Sequence, residues 1–477
     1  MGKRRSDKPN RSDQKYDLAI VGSGSAAFAA AIRARDLGAR VVMVERGTLG
    51  GTCVNIGCIP SKMLLRASDV YYQIRNQPFA GIDAEAGTVD LRALIEQKDA
   101  LIQVLRREKY EDLVGTYGWE VIRGQAAFAN DATLEVGDRV IKANAYVIAT
   151  GASPAVPQIP GIEDAGYLTS TTALSLEQVP ESLVVIGSGY IALELGQLFH
   201  PLGSRVTLMQ RGPRILREYE PEVAEAVAKV LADEGIEVIT GASIQQVERT
   251  QGGRKITMVA GGRERDVEGE QLLAAIGRSP STRALGLDRA GISIDQRGAV
   301  TVNDELRTTN PGVWAAGDVT GGPQFVYVAA YEGTLAAENA LAMSKRVIDL
   351  RAVPAVIFTT PSIATVGLTE AQAQAGGHQV KTSILPAEMV PRAMVNRNPR
   401  GVFKIVADAA TDQILGVHIV ADNAGDVIYS ATLAVKFKLT TRDLVETFAP
   451  YLTMAEGLKL TAQTFGRDVA RLSCCAS

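Results

Sequence analysis

Two stretches of the chain repeat one pattern of apolar and small residues. Asp17–Gly22 (DLAIVG) is an apolar run that ends in glycine. It passes through Gly22-Ser-Gly24-Ser-Ala-Ala27 into an alanine-rich segment reaching about Gly38, then into a second apolar run over Arg40–Glu45. Short apolar runs bounded by glycine predict buried strands, and the alanine-rich segment between them predicts a helix. Leu183–Gly187 (LVVIG) enters Gly187-Ser-Gly189-Tyr-Ile-Ala192 in the same way, with a helix expected to about Leu202 and a strand over Arg205–Gln210. The repetition predicts two copies of one βαβ unit.

A glycine-rich turn that follows a strand and opens a helix is the context of a dinucleotide site. The first glycine (Gly22, Gly187) makes the turn, and the second (Gly24, Gly189) lets backbone approach a pyrophosphate. The third position needs a small residue, supplied by Ala27 and Ala192, and the helix N-terminus receives the phosphates. The copies differ where the second strand ends. Glu45 suits an unphosphorylated adenosine ribose, whereas the matching Gln210 carries no charge to repel a 2′-phosphate. Arg211, Arg214 and Arg217 follow it with guanidinium forks suited to phosphate. NADPH is therefore expected at the second site.

The chain has 477 residues, enough for about three domains. A net charge of −3 gives no whole-protein field for nucleic acid or an anionic membrane. Abundant glycine (46) and sparse aromatics (5%) suit a doubly wound α/β protein better than an all-β sandwich. No apolar run approaches a membrane span, and the start lacks the apolar stretch of a signal peptide, so the expected compartment is the cytoplasm. Lys3, Arg4, Arg5, Lys8, Arg11 and Lys15 are expected to form a solvated, disordered arm. The scarce residues carry the chemistry. The three histidines (His200, His378, His418) are scattered, and the four cysteines form two tight pairs, Cys53 with Cys58 and Cys474 with Cys475. That is neither a disulfide framework nor a zinc spacing.

Cys53 and Cys58 lie in Gly50-Gly51-Thr52-Cys53-Val-Asn-Ile-Gly-Cys58-Ile-Pro-Ser-Lys62, with glycine between them and a proline expected to start a helix after them. The two can meet as a disulfide at the mouth of the first dinucleotide domain, an active-site dithiol. This stretch resembles the signature of the class I pyridine nucleotide-disulfide oxidoreductases. The resemblance extends over nearly the whole chain, through Ala149-Thr150-Gly151, Gly277-Arg-Ser-Pro-Ser-Thr282, Ala315-Ala-Gly317-Asp318, Phe358-Thr-Thr-Pro361 and Val366-Gly367. It implies FAD at the first site, held by Gly22, Gly24, Ala27, Glu45, Gly51, Thr52, Lys62, Thr150, Gly151 and Asp318. It implies NADPH at the second, held by Gly187, Gly189, Tyr190, Ala192, Gln210, Arg211, Arg217 and Gly277, with Tyr190 gating the nicotinamide. Cys58 would lie against the flavin and Cys53 would exchange thiols, while Lys62 pairs with Glu194 near the flavin N5. The implied fold is α/β: two Rossmann-like dinucleotide-binding domains plus a C-terminal α+β dimerisation domain. The expected division is 16–152 and 276–345 for FAD, 153–275 for NADPH and 346–477 for the interface, after an arm of residues 1–15.

Two features depart from the family's disulfide reductases. Where those carry a proton-shuttling histidine, Ala449-Pro-Tyr451-Leu-Thr453-Met-Ala-Glu456 has a phenol of reference pKa about 10, a poor shuttle at neutral pH. The chain then ends Leu472-Ser-Cys474-Cys475-Ala-Ser477, two soft thiolates suited to a soft cation. Both features are similar to the mercury(II)-reducing branch of the family. That likeness implies capture of Hg(II) by Cys474 and Cys475 of one subunit, transfer to Cys53 and Cys58 of the other in a homodimer, and reduction to Hg(0). Tyr451 and Tyr110 would stand beside the metal. No cysteine precedes Cys53, so the chain resembles the catalytic core without the N-terminal metal-binding domain of many relatives. The alternatives are a disulfide reductase of the large thioredoxin reductase or glutathione reductase type, or a mercury-binding flavoprotein without turnover.

Overall fold

The computed structural model describes residues 16–343 and 345–467. The basic arm and the Cys474/Cys475 pair lie outside the described residues. The described residues divide into two compact units, one within 16–60, 97–155 and 278–348, the other within 61–96, 156–277 and 349–467.

In the first unit the expected βαβ element forms from strand Tyr16–Val21, helix Ser25–Asp36 and strand Val41–Glu45. The helix turns Ala26, Ala27, Ala30, Ala31 and Ala34 inward. Residues without long side chains let its backbone lie close on the sheet and on helix Val326–Ala340. Gly38, at φ +81°, ends it in the left-handed conformation glycine adopts without strain. Five parallel strands run in the order Val313–Ala315, Ala143–Ile148, Tyr16–Val21, Val41–Glu45, Glu120–Arg123. Between the last of these in space and Ala143–Ile148 the chain makes an antiparallel three-stranded meander, Ala126–Asn130, Thr133–Val136 and Arg139–Ile141.

The second unit repeats that plan. Strand Ser182–Ile186, helix Tyr190–Phe199 and strand Arg205–Gln210 form its βαβ element. The helix stops before the expected Leu202: His200 is still helical in conformation, but Pro201 has no N–H with which to extend the hydrogen-bond ladder. Four parallel strands run in the order Glu237–Thr240, Arg205–Gln210, Ser182–Ile186, Gln271–Ala274, and a meander over Ser243–Thr250, Gly253–Ala260 and Arg263–Gly269 precedes the last. The repeat therefore includes the meander and the returning strand. This unit also holds an antiparallel sheet in the order Ala355–Ile357, Ser362–Gly367, Ile414–Ala421, Val402–Asp408, Val380–Pro386. Helices Ala424–Lys436 and Glu456–Gln463 bury its core, which includes Phe403, Ile405, Val417 and Ile419. Parallel α/β units and an antiparallel sheet with helices match the expected fold class.

Candidate active site

The two glycine turns have one geometry. Gly22 has φ +110°, and a Cβ there would fall 2.3 Å from the Ala149 carbonyl oxygen; Gly187 has φ +121°, and its Cβ would fall 2.2 Å from that of Ala275. The Gly22 and Gly187 N–H groups each donate to the neighbouring strand, to the carbonyls of Val44 and Met209, at 2.8 Å in both cases. Gly24 and Gly189 then cap their helices in extended conformation with no side-chain hydrogen bond, which leaves the first-turn N–H groups to an anion. Ala27 and Ala192 are fully buried. At the first site Gly51 comes so close that a Cβ would meet the Gly24 Cα at 2.6 Å, so backbone forms both walls of the cradle. Glu45 is oriented by the Ser23 hydroxyl and the Gly47 N–H, each 2.6 Å from one carboxylate oxygen. It borders a cavity with Gly22, Gly124, Gln125, Thr150 and Ser281. Thr150 Oγ1 donates to the Ser281 carbonyl at 2.8 Å, and Gly151 accepts the Ser281 N–H at 2.9 Å. A glycine turn with free helix N–H groups, an oriented carboxylate and an adjoining cavity fit FAD.

At the second site Arg211 and Arg217 are exposed beyond Gln210. Arg214 is turned inward, against the expectation from sequence. Its Nη2 donates to the Arg217 and Tyr219 carbonyls at 2.8 and 3.0 Å, because that loop has no regular partner for those groups. Arg214 thus braces the loop that presents its two neighbours. The Tyr190 ring lies edge-on to Tyr219 at 6.1 Å, and burial pushes its phenol pKa up against a lowering hydrogen bond from Tyr219. Gly277 has φ +113°.

Cys53 lies in helix Gly51–Ile56, and Cys58 opens helix Cys58–Arg75 after the turn at Gly57. The helix begins before Pro60, which the sequence suggested as its start. Pro60 is tolerated in the first turn because N–H groups there have no helical partner. Both cysteines are partly buried. A cysteine at a helix N-terminus has its thiolate favoured by the dipole. Tyr110 stands in a turn of π-helix, Arg107–Glu111. Its ring covers Gly50, where a Cβ would fall 3.2 Å from Tyr110 Cγ, and lies edge-on to Phe28 at 4.8 Å. Burial first, then negative charge on Cys53 and Cys58, raises the Tyr110 pKa above its ordinary value, partly offset by a hydrogen bond with Ser25.

Arg278 was missed, although it stands in the Gly277-Arg-Ser-Pro motif. It is largely buried, with Nη2 donating to the Ala152 carbonyl and lying 3.5 Å from Thr52 Oγ1, and Nε 3.9 Å from Asp318. Burial lowers its pKa, while Asp318 and Cys58 favour its charge; burial likewise raises the pKa of Asp318, with Arg278 opposing. A cation beside Thr52, Cys58 and Asp318 suits both a thiolate and a pyrophosphate.

In the second unit Lys62 Nζ donates to Glu194 Oε2 at 2.6 Å, with Glu194 buried. Lys62 follows Cys58 by one turn of the same helix. Tyr451 is exposed, and Glu456 is buried with its pKa raised by burial. The histidines are engaged elsewhere: His200 with the Glu234 carbonyl, His378 with Asp408, and His418 with the Leu368 carbonyl. Among the described residues no group of three or more His, Cys, Asp or Glu is arranged to hold a metal ion, and no helix is long and apolar enough to cross a membrane.

A sequence profile described as pyridine nucleotide-disulphide oxidoreductase matches residues 16–333, and that family's dimerisation-domain profile matches residues 353–462. The chain belongs to the pyridine nucleotide-disulphide oxidoreductases. Within this family it is similar to a mercuric reductase of Staphylococcus aureus, 56% identical over 97% of this chain and 85% of the relative. It is 50% identical to a mercuric reductase of Streptomyces lividans, over 97% of this chain and 98% of the relative. The HOCl-induced flavoprotein disulfide reductase RclA from Escherichia coli superposes with a TM-score of 0.84 at 31% identity, covering 94% of this chain and 99% of that one. The duplicated nucleotide turns, the dithiol and the antiparallel sheet of this oxidoreductase all fall inside the matched ranges.

Proposed function

We propose that the chain reduces mercury(II) to elemental mercury with NADPH as electron donor, through FAD and the Cys53/Cys58 dithiol. The observation that carries this reading is the Cys53/Cys58 pair, with Cys58 opening a helix and the Tyr110 ring over nearby Gly50, in a chain matched across 97% of its length by mercuric reductases. Gly22, Gly24, Glu45, Gly51, Thr52, Arg278 and Asp318 would hold FAD. Gly187, Gly189, Tyr190, Arg211 and Arg217 would hold NADPH. Bound FAD supplies a two-electron relay from NADPH to the dithiol site.

The remaining steps belong to this chain's own side chains. Each cysteine thiolate displaces one thiolate ligand from Hg(II), and each displaced thiolate takes its proton from solvent. Two electrons then convert Hg(II) to Hg(0) and return both cysteines as thiolates, while NADPH becomes NADP⁺ and a proton is released. No step protonates a sulfur bound to the enzyme, which is consistent with Tyr451 where disulfide reductases carry histidine. Arg278 and the helix N-terminus at Cys58 favour the thiolate form, and Tyr110 offers its hydroxyl as a hydrogen-bond donor to it.

The dimerisation-domain profile supports a homodimer. On this reading Cys474 and Cys475 of one copy deliver mercury to Cys53 and Cys58 of the other. The FAD, NADPH and interface domains take the divisions read from the sequence, and the cytoplasm, where thiols are kept reduced, is the working compartment. The test is NADPH oxidation by Hg(II) in excess thiol, set beside glutathione disulfide, lipoamide and thioredoxin. Turnover with mercury should exceed turnover with each disulfide; an equal or faster rate with any of them overturns the reading.

A further inference from the structure

Glu194 and Gln197 lie one turn apart on helix Tyr190–Phe199, both buried, and each holds a backbone N–H of one segment. Phe358 N–H donates to Glu194 Oε1 at 3.0 Å, and Thr360 N–H donates to Gln197 Oε1 at 2.9 Å, while Gln197 Nε2 lies 3.2 Å from the Thr360 carbonyl it donates to. The segment is thereby pinned in register on the helix. Its register matters to Lys62, whose ammonium bonds Glu194 and lies 4.6 Å from the centre of the Phe358 ring. Lys62 otherwise borders a cavity of about 260 Å³ lined by Arg66, Tyr72, Gln197, Glu234 and Phe358, so these two partners, not close packing, fix the ammonium.

Behind Gln197 stands a second pair. Gln197 Nε2 donates to Glu234 Oε2 at 2.7 Å, and Glu234 Oε1 accepts from Arg400 Nη1 at 2.7 Å. Arg400 is held in turn by Asn398 at 2.8 Å and by Tyr72. A carboxylate accepts only, so Glu234 forces the amide nitrogen toward itself and the amide oxygen toward the Thr360 N–H. The flipped amide would set oxygen against carboxylate and nitrogen against an N–H.

We propose that Gln197, its amide orientation fixed by Glu234 and Arg400, is the positioning residue that sets, through Phe358, how closely the Lys62 ammonium is held to Glu194. The inference rests on the reading that Lys62 faces the flavin. A fixed cation there favours the negative charge that reduction adds, so its placement is read in the flavin midpoint potential.

The experiment compares the holoenzyme with Lys62→Met, Gln197→Met, Gln197→Glu, and Gln197→Glu combined with Glu234→Gln, by reductive titration and by stopped-flow reduction with NADPH. Lys62→Met lowers the potential. Gln197→Met shifts it the same way by a smaller amount and slows flavin reduction about tenfold, the loss expected for one buried hydrogen-bonded contact. Gln197→Glu alone sets two carboxylates together and shifts it further. The combined variant exchanges acceptor and donor across the same bond and restores the potential. If Lys62→Met shifts the potential and both Gln197→Met and the combined variant leave it at the wild-type value, or if the combined variant is no closer to wild type than Gln197→Glu, the positioning role is overturned. A Lys62→Met potential equal to wild type overturns instead the placement of Lys62 at the flavin. A role in folding alone would lower the melting temperature of Gln197→Met without moving the potential.

Discussion

Tyr110 shows what a single side chain contributes beyond its place in a motif. Its pKa is raised, so the phenol is protonated throughout the neutral range and serves there as a donor, not a base. Tyr110→Phe keeps the ring over Gly50 and removes only the hydroxyl. We expect kcat for Hg(II) to fall about tenfold, the size of one hydrogen bond to a charged partner, while flavin reduction by NADPH is unchanged in stopped-flow absorbance. The two kcat profiles should run parallel up to about pH 9, because the hydroxyl does not titrate below its own raised value. At the second site the structure narrows three arginines to two. Arg211→Ala and Arg217→Ala should each lower kcat/KM for NADPH about tenfold and leave that for NADH nearly unaltered, measured by initial rates with both nucleotides. The sequence showed which residues were cationic, but not that Arg214 is turned inward with its Nη2 on the carbonyls of Arg217 and Tyr219. Arg278 was equally invisible, since its role depends on the strands that bring it to Thr52 and Asp318.

Among elements, the join between helix Pro221–Asp233 and the antiparallel sheet turns on one buried cation. Lys404, in strand Val402–Asp408, is 1% exposed, with Nζ 2.9–3.0 Å from Glu220, Glu222 and Glu370. Buried His418 lies 3.8 Å from Glu220. Burial alone would lower the ammonium pKa, but the hydrogen bonds it donates to Glu222, Glu370 and Glu220 outweigh it and hold it above the usual lysine value. A raised folded value gives stability that is fully present below the unfolded pKa of about 10.4 and is lost as pH rises through the folded one. Lys404→Met leaves Glu220 buried without its cation and should cost about 3 kcal/mol in urea unfolding at pH 7. The difference from wild type should shrink above about pH 10. This cluster had no sequence signal, because its members are spread from Glu220 to His418. The βαβ elements were legible for the opposite reason: their apolar runs, glycines and alanines are contiguous. The meanders were not, since Ser243–Thr250 and Arg263–Gly269 are mostly polar and exposed and carry little alternation.

For the whole molecule, the metal route is a prediction about two copies of the chain. Cys474→Ala with Cys475→Ala should slow the capture of thiol-bound mercury, seen as a raised KM for the Hg(II)–thiol complex. Reduction of the flavin by NADPH should stay at the wild-type rate in single-turnover traces. Loss of that reduction would assign the tail a structural part instead. The duplicated plan also bears on the order in which the protein is made. The turn at Gly22 is closed by the carbonyl of Ala149, and the sheet containing it receives its edge strand, Val313–Ala315, from beyond the whole of Ser182–Ala274. Leaving the ribosome, the chain therefore starts its first nucleotide fold and completes its second one before the first has its last strand. The flavin cradle is begun first and finished last, so a nascent chain arrested after Ala275 holds a complete strand set for its nicotinamide half and an open edge on its flavin half.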